Sequence, residues 1–218
     1  NNLEMAYEDD HFIETNGNVW NYSFFSQEEV VQFQEGKMCN AYEKFGAHFL
    51  RLLNQDGFYF AVWAPNATAV SVVGAFNGWK PSLHPLFVRH DNSGIWEGFI
   101  PRLPVGALYK FHITGIFEST FLKADPFAFY NEVRPGTASI TRKLEMTWRD
   151  EDWMHNRKKH NSLQAPWSVY EVHLGSWMRP DKNNENLFNT YHEIRERLVP
   201  YVKAMGFTHV EFMPVMEF

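Results

Sequence analysis

Ala107-Leu108-Tyr109-Lys110-Phe111-His112-Ile113 has apolar or aromatic residues at every second position, with Lys110 and His112 between the later ones. In an extended chain this puts Ala107, Tyr109, Phe111 and Ile113 on one face and Leu108, Lys110 and His112 on the other. The run predicts a half-buried strand whose Lys110 face is the wet one. Working outward, seven short apolar runs occupy 47–53, 58–64, 69–74, 86–89, 95–100, 107–113 and 116–122. Turn-forming stretches separate them: Asn54-Gln55-Asp56-Gly57, Ala64-Pro65-Asn66, Asp91-Asn92-Ser93-Gly94 and Thr114-Gly115. Seven strands at near-regular spacing predict an immunoglobulin-like β-sandwich over 47–140 in a mainly β chain.

Residues 1–46 read as a helical and irregular segment. Ser26-Gln27-Glu28-Glu29 is a capping box, in which Ser26 accepts from the amide three residues on and Glu29 reaches back. Phe25 and Val30 hold the staple positions, and Gly36 ends a helix predicted over 27–35. Residues 141–166, bounded by Pro166, read as a connector, and Trp148, Trp153 and Met154 predict that it packs down.

Beyond Pro166 the pattern changes. Val169-Tyr170-Glu171-Val172-His173-Leu174 reads as a strand, and Thr190-Tyr191-His192-Glu193 as a second capping box. Tyr191, Ile194, Leu198, Tyr201 and Met205 form one stripe at helical spacing, with a kink expected at Pro200. Phe207 to Val215 is a second apolar strand. Strand, helix, strand predicts a βαβ unit with parallel strands over 167–218. Parallel strands are normally covered on both faces, so this unit reads as the first part of something larger.

Composition narrows the function classes. Formal net charge is −6 over 218 residues, and the only basic run is Arg157-Lys158-Lys159, so no nucleic-acid partner is expected. Cys39 is alone, which excludes an intrachain disulfide and suits a reducing, cytoplasmic compartment. No apolar stretch reaches about 18 residues, so no membrane span is expected. The chain starts at Asn1, consistent with a fragment. Neither HExxH nor a paired-cysteine pattern occurs, and His155 and His160 are five apart, off a shared helix face, so no metal site or cofactor is expected. Phosphate-binding glycine loops and a GxSxG elbow are also missing.

Several motifs resemble one family. Gly74-Ala75-Phe76-Asn77-Gly78-Trp79, following Phe60-Ala61-Val62-Trp63-Ala64-Pro65-Asn66-Ala67, resembles the starch-binding module that precedes the barrel of branching and debranching enzymes. Leu108-Tyr109-Lys110-Phe111 matches the same module, and Lys123-Ala124-Asp125-Pro126 and Arg134-Pro135-Gly136-Thr137-Ala138-Ser139 resemble its exit. Val169–Trp177 and Gly206–Pro214 resemble the first and second barrel strands of the α-amylase superfamily. Together they look most like the 1,4-α-glucan (glycogen) branching enzyme family.

The resemblance implies an α-glucan partner: glycogen, amylose or maltooligosaccharides. It implies a parent glycosyltransferase that moves α-1,4-linked segments onto 6-hydroxyls in glycogen biosynthesis. Such a retaining mechanism needs two carboxylates about 5–5.5 Å apart. In the family these lie on later barrel strands, so no catalytic residue carries over. Glu171, Glu211 and Glu217 match no catalytic motif, and framework contacts are expected of Glu171 and Glu211. The fragment is expected to bind glucan and be inactive alone. For binding, the resemblance implies Trp79 as a stacking platform and Lys110 as a hydrogen-bond donor. Phe117 is the nearest candidate for a second platform, with Phe121 behind it, while Asn77 is expected to serve the turn. Affinity is expected in the micromolar to millimolar range, on the order of what one or two stacked rings supply. Alternatives are another amylase-superfamily enzyme, debranching or trehalose-releasing, and a stand-alone glucan-binding regulatory module.

Overall fold

The computed structural model describes residues 5–8, 11–15, 17–180 and 188–215. Glu217 lies outside them. The chain divides into two compact units, 1–146 and 147–218.

The first unit is built on two antiparallel sheets. One has the order β3-β4-β7-β6: Gly46–Leu52, Gln55–Trp63, Ile95–Pro101 and Phe87–Val88. The other is centred on β8, Leu108–Gly115, with β5, Ala67–Gly74, along one edge. Its other edge is shared by β9, Thr120–Lys123, and β10, Ser139–Ile140. The core between the sheets includes Phe58, Phe60, Val62, Val70, Val72, Tyr109 and Phe111. The inward face predicted for 107–113 thus holds at its centre, where Tyr109 and Phe111 are fully buried.

Strands β4 and β7 do not alternate in burial. Phe58, Tyr59, Phe60 and Ala61 are all buried, as are Ile95 through Ile100. A third layer explains this. The chain before β3 covers the outer face of the first sheet, and Ile13, Tyr22, Phe25 and Val30 pack with Phe45, Tyr59, Ala61, Ile95 and Phe99. Trp20 also bridges Phe99, with backbone hydrogen bonds of 2.7 and 3.0 Å. A continuous apolar run is what a strand covered on both faces requires. Ile13 and the described residues from Val19 to Phe45 therefore pack onto the sandwich as its outer layer.

Within that layer, α1 spans Gln27–Gln34 and carries the predicted capping box. Ser26 Oγ accepts from Glu29 N at 3.2 Å, and Ser26 N donates to Glu29 Oε2 at 2.8 Å. The two-stranded hairpin ahead of it, β1 (Met5–Glu8) and β2 (His11–Glu14), was not legible as strands.

A buried polar knot ties the layers together. Glu97 Oε2 accepts from Tyr59 Oη at 2.5 Å and from Ser23 Oγ at 3.1 Å, and its Oε1 accepts from Arg89 at 2.7 Å. Arg89 also donates to Asp91 at 2.7 Å and to the Ser23 hydroxyl. Burial pushes the Tyr59 phenol well up, with the Glu97 charge adding to it, so it stays a donor.

In the second unit β11, Val169–Val172, pairs in parallel with β12, His209–Phe212, and α3, Tyr191–Ala204, lies between them in sequence. Thr190 and Glu193 form the predicted capping box. The buried stripe is Ile194, Leu198 and Val202, packed with Val172. Tyr191 and Met205, placed on the stripe by sequence, are 68 % and 59 % exposed. A 14-residue helix of about 21 Å overshoots two four-residue strands of about 13 Å, leaving its ends uncovered. The helix is continuous through Pro200.

The connector expectation fails in part. Residues 151–160 form α2, with no buried residue, and Trp148, Trp153 and Met154 stay exposed. Aromatic content suggested packing, but these side chains have no apolar stripe to join. Arg157, Lys158 and Lys159 sit in the last turn of α2, where cations suit the helix dipole.

Candidate functional site: the Trp79 turn and the outer face of β8

Strand β5 ends at Gly74, level with Tyr109 of β8. The chain then makes a short 3₁₀ turn over Ala75–Asn77, and Gly78 and Trp79 both take left-handed backbone angles, φ +61° each. For a bulky residue this is uncommon and costs energy. Trp79 N donates to Gly74 O at 2.9 Å, which closes the turn. The Trp79 side chain is 41 % exposed.

Asn77 serves the turn, as its type suggested. It is buried, its Oδ1 accepts from Gly74 N at 3.0 Å, and its Nδ2 donates to Val72 O at 3.0 Å. The same Nδ2 lies 2.9 Å from His84 Nδ1. Gly74 is required for a steric reason: a Cβ there would sit 2.1 Å from Leu108 O and 2.5 Å from the Phe76 ring.

Lys110 stands opposite Val73, one residue along β8 from the level of Gly74. Trp79 and Lys110 therefore share one end of the same sheet. Lys110 is only half-buried, and its Nζ donates to Thr137 Oγ1 at 2.6 Å. That bond ties β8 to the loop entering β10, and the ammonium retains further donor capacity.

Phe117 is 96 % exposed and has φ +62°. It follows Gly115, which pairs with Ala67 at the opposite end of β5. Gly115 lies five residue steps along β8 from Lys110, about 17 Å. The structure does not bring Phe117 into one patch with Trp79 and Lys110; a single ligand would have to run the length of β8 to touch both. Phe121 lies between, opposite Ile113, with Lys123 Nζ 5.7 Å above its ring.

Beneath the exit segment, Asp125 is buried and accepts from Tyr109 Oη at 2.5 Å and from Phe127 N at 2.8 Å. Burial raises both the Asp125 carboxyl and the Tyr109 phenol, so this pair is structural. In the second unit, Glu171 and Glu211 stand side by side in the parallel ladder, both exposed. They belong to the strand framework through that ladder, and among the described residues neither carboxylate has a hydrogen-bond or ion-pair partner. No group of three or more His, Cys, Asp or Glu that could hold a metal occurs among the described residues. No helix among them is long and apolar enough to cross a membrane.

Residues 44–128 match the family described as carbohydrate-binding module 48 (isoamylase N-terminal domain). A 1,4-alpha-glucan branching enzyme of Desulfitobacterium hafniense is 47 % identical over 193 residues, covering 88 % of this chain and 30 % of the relative. That of Aquifex aeolicus is 46 % identical over 198 residues, covering 90 % of this chain and 31 % of the relative. The chain thus spans about a third of the length of these curated relatives and matches their N-terminal portion. Among solved structures, a Klebsiella pneumoniae pullulanase complexed with maltotriose superimposes with a TM-score of 0.56 at 22 % identity, covering 80 % of this chain and 18 % of that one. The apo pullulanase from the same organism gives the same TM-score and identity, covering 20 % of its length. These structural likenesses bear on the fold alone.

Proposed function

We propose that this chain, which resembles the N-terminal part of the 1,4-α-glucan branching enzymes, is the glucan-gripping front end of such an enzyme. The parent transfers α-1,4-glucan segments to 6-hydroxyls and makes α-1,6 branches. None of the residues in hand matches a catalytic motif of the family, so the 218-residue chain alone forms no branches. Residues 47–140 supply the carbohydrate-binding sandwich, 141–166 the connector and 167–218 the opening of a (β/α) barrel. Two features support the barrel assignment: the parallel pairing of β11 with β12, and the exposure of Val169, Phe212 and Met213, which leaves apolar surface for further strands or helices.

The observation that carries the binding assignment is the exposed Trp79 ring, held by a strained, hydrogen-bonded turn at the end of the sheet that also carries Lys110. An indole face matches the apolar C–H face of a glucose ring, and the ammonium can donate to its hydroxyls. Phe117 then extends the track along β8 for longer chains. A glucan is uncharged, so the −6 net charge of the chain does not oppose it.

Trp79→Ala should weaken retention on a glycogen or amylose affinity gel by about tenfold, the loss of roughly 1–2 kcal/mol of stacking and burial. Its circular dichroism should match that of the wild type. Unchanged retention would remove the site. For the parent, incubation with amylose should lose iodine colour and gain α-1,6 ends without releasing free sugar. Released glucose, maltooligomers or trehalose would assign it to a hydrolytic relative instead.

A further inference from the structure

The hydrogen bonds around Asn77 determine the protonation of a neighbouring histidine. Gly74 N can only donate, so the Asn77 atom facing it is the oxygen, at 3.0 Å. Val72 O can only accept, so the atom facing it is the amide nitrogen, at 3.0 Å. The side-chain amide has no freedom to flip. Its nitrogen therefore points a second N–H at His84 Nδ1, 2.9 Å away, and Nδ1 must accept. His84 is thus neutral and carries its proton on Nε2.

Protonating His84 would set an N–H on Nδ1 against the N–H of Asn77. The alternatives are both costly: the ring turns away and leaves a buried donor unsatisfied, or Asn77 moves. Asn77 is what holds Gly74, and Gly74 O holds Trp79 N. The relay runs from imidazole to amide to backbone to the platform in four residues of hydrogen-bonded chain.

We propose that Asn77 and His84 are positioning residues for the Trp79 platform, and that protonation of His84 releases the platform and weakens the grip on α-glucan. The inference rests on the assignment of Trp79 as the glucan platform. An α-glucan has no ionisable group, so a pH dependence of binding must come from the protein.

The surroundings of His84 favour the neutral ring. Phe76 packs edge-on at 5.2 Å, and burial lowers the imidazole below its ordinary range. His84 also lines a cleft of about 460 Å³ together with Thr15, Asn18, Trp20, Gln55 and Arg102. Arg102 is the charged residue among the described lining, and Lys80 is the charged residue of the Trp79 turn. Both are cations, so neither offers an imidazolium a counter-charge. Among the described residues that line the cleft, none is a carboxylate that could stabilise an imidazolium. The contribution of the neutral ring is complete above the unfolded value of about 6.5 and is lost as pH falls through the lower folded one.

The test uses the 218-residue chain on a glycogen affinity gel between about pH 7.5 and about pH 4.5, a window that starts above the ordinary imidazole value of about 6.5 and runs well below it to reach the lowered folded one. Wild-type retention should weaken by about tenfold across that window, the scale of one unsatisfied buried donor. His84→Asn keeps an acceptor where Nδ1 stood but does not titrate, so it should bind normally at the upper pH and lose the pH dependence. Near-UV circular dichroism at both ends confirms that the fold survives. Nitrogen NMR of His84 at neutral pH should show protonated Nε2 and bare Nδ1. Identical pH profiles for wild type and His84→Asn, loss of binding by His84→Asn at neutral pH, or a protonated Nδ1 would each overturn the proposal. Retention by Trp79→Ala equal to wild type would overturn the platform assignment beneath it. Loss by Trp79→Ala with unchanged pH profiles would sink only the coupling to His84.

Discussion

Glu97→Ala should lower the unfolding free energy of the first unit by about 3–5 kcal/mol, the range for removing one member of a buried, hydrogen-bonded ion pair. The wild-type carboxylate accepts from Tyr59, Ser23 and Arg89, and its side chain is 5 % exposed. Alanine leaves the Tyr59 hydroxyl buried with no acceptor and Arg89 with only Asp91 opposite it. It also opens a void between the sheet and the N-terminal layer. Tyr59→Phe removes one hydrogen bond and leaves the ion pair intact, so it should cost only about 1 kcal/mol. Urea melts followed by tryptophan fluorescence compare the two. Equal losses would mean that the ion pair contributes nothing beyond one hydrogen bond.

Gly74→Ala is expected to be nearly as damaging, by about 3 kcal/mol, and to abolish glucan retention as well. The glycine has φ −175°, an ordinary extended angle, so backbone strain is not the reason. The reason is space. An added methyl would meet Leu108 O at 2.1 Å, and that oxygen belongs to the adjoining strand and cannot swing aside. β5 and β8 must separate where the Trp79 turn begins, which is the upper end of overpacking costs. Gly78→Ala supplies the contrast. Its position has φ +61° and nothing within 4 Å of an added Cβ, so it should cost about 1 kcal/mol through the left-handed angle alone. If both variants melted together, the steric account of Gly74 would be wrong.

These two variants also mark the limit of what sequence could tell. Alternation exposed β8, and turn residues bounded β4, β5 and β7, because local periodicity reports which face is buried. The two capping boxes were legible because their partners lie three residues apart. Glu97 was not, since its partners Tyr59 and Ser23 lie 38 and 74 residues away in sequence. A carboxylate inside Ile95-Trp96-Glu97-Gly98-Phe99-Ile100 was the signal available, but it names no partner. Trp79 and Asn77 could be placed on a turn from type alone. His84 could not be linked to them, because it reaches Asn77 only after the chain has folded back along β5. Phe117 is what the resemblance offers as a second platform, and strand pairing puts the neighbouring Gly115 at the other end of β8 from Lys110. Helix α2 was missed because it buries nothing and so has no periodic stripe to detect.

The third layer bears on how this protein can be dissected for use. A glucan affinity tag cut to residues 44–128, the span that matches the binding-module family, would omit Ile13, Tyr22, Phe25 and Val30. It would also omit β10, which pairs with β8. The bare outer faces of Tyr59, Ile95 and Phe99 would then meet solvent, and such a tag would clump in the expression host rather than purify. A serviceable excision keeps the polypeptide from Ile13 through Thr141, whose hydroxyl still anchors Ala107 and Pro104.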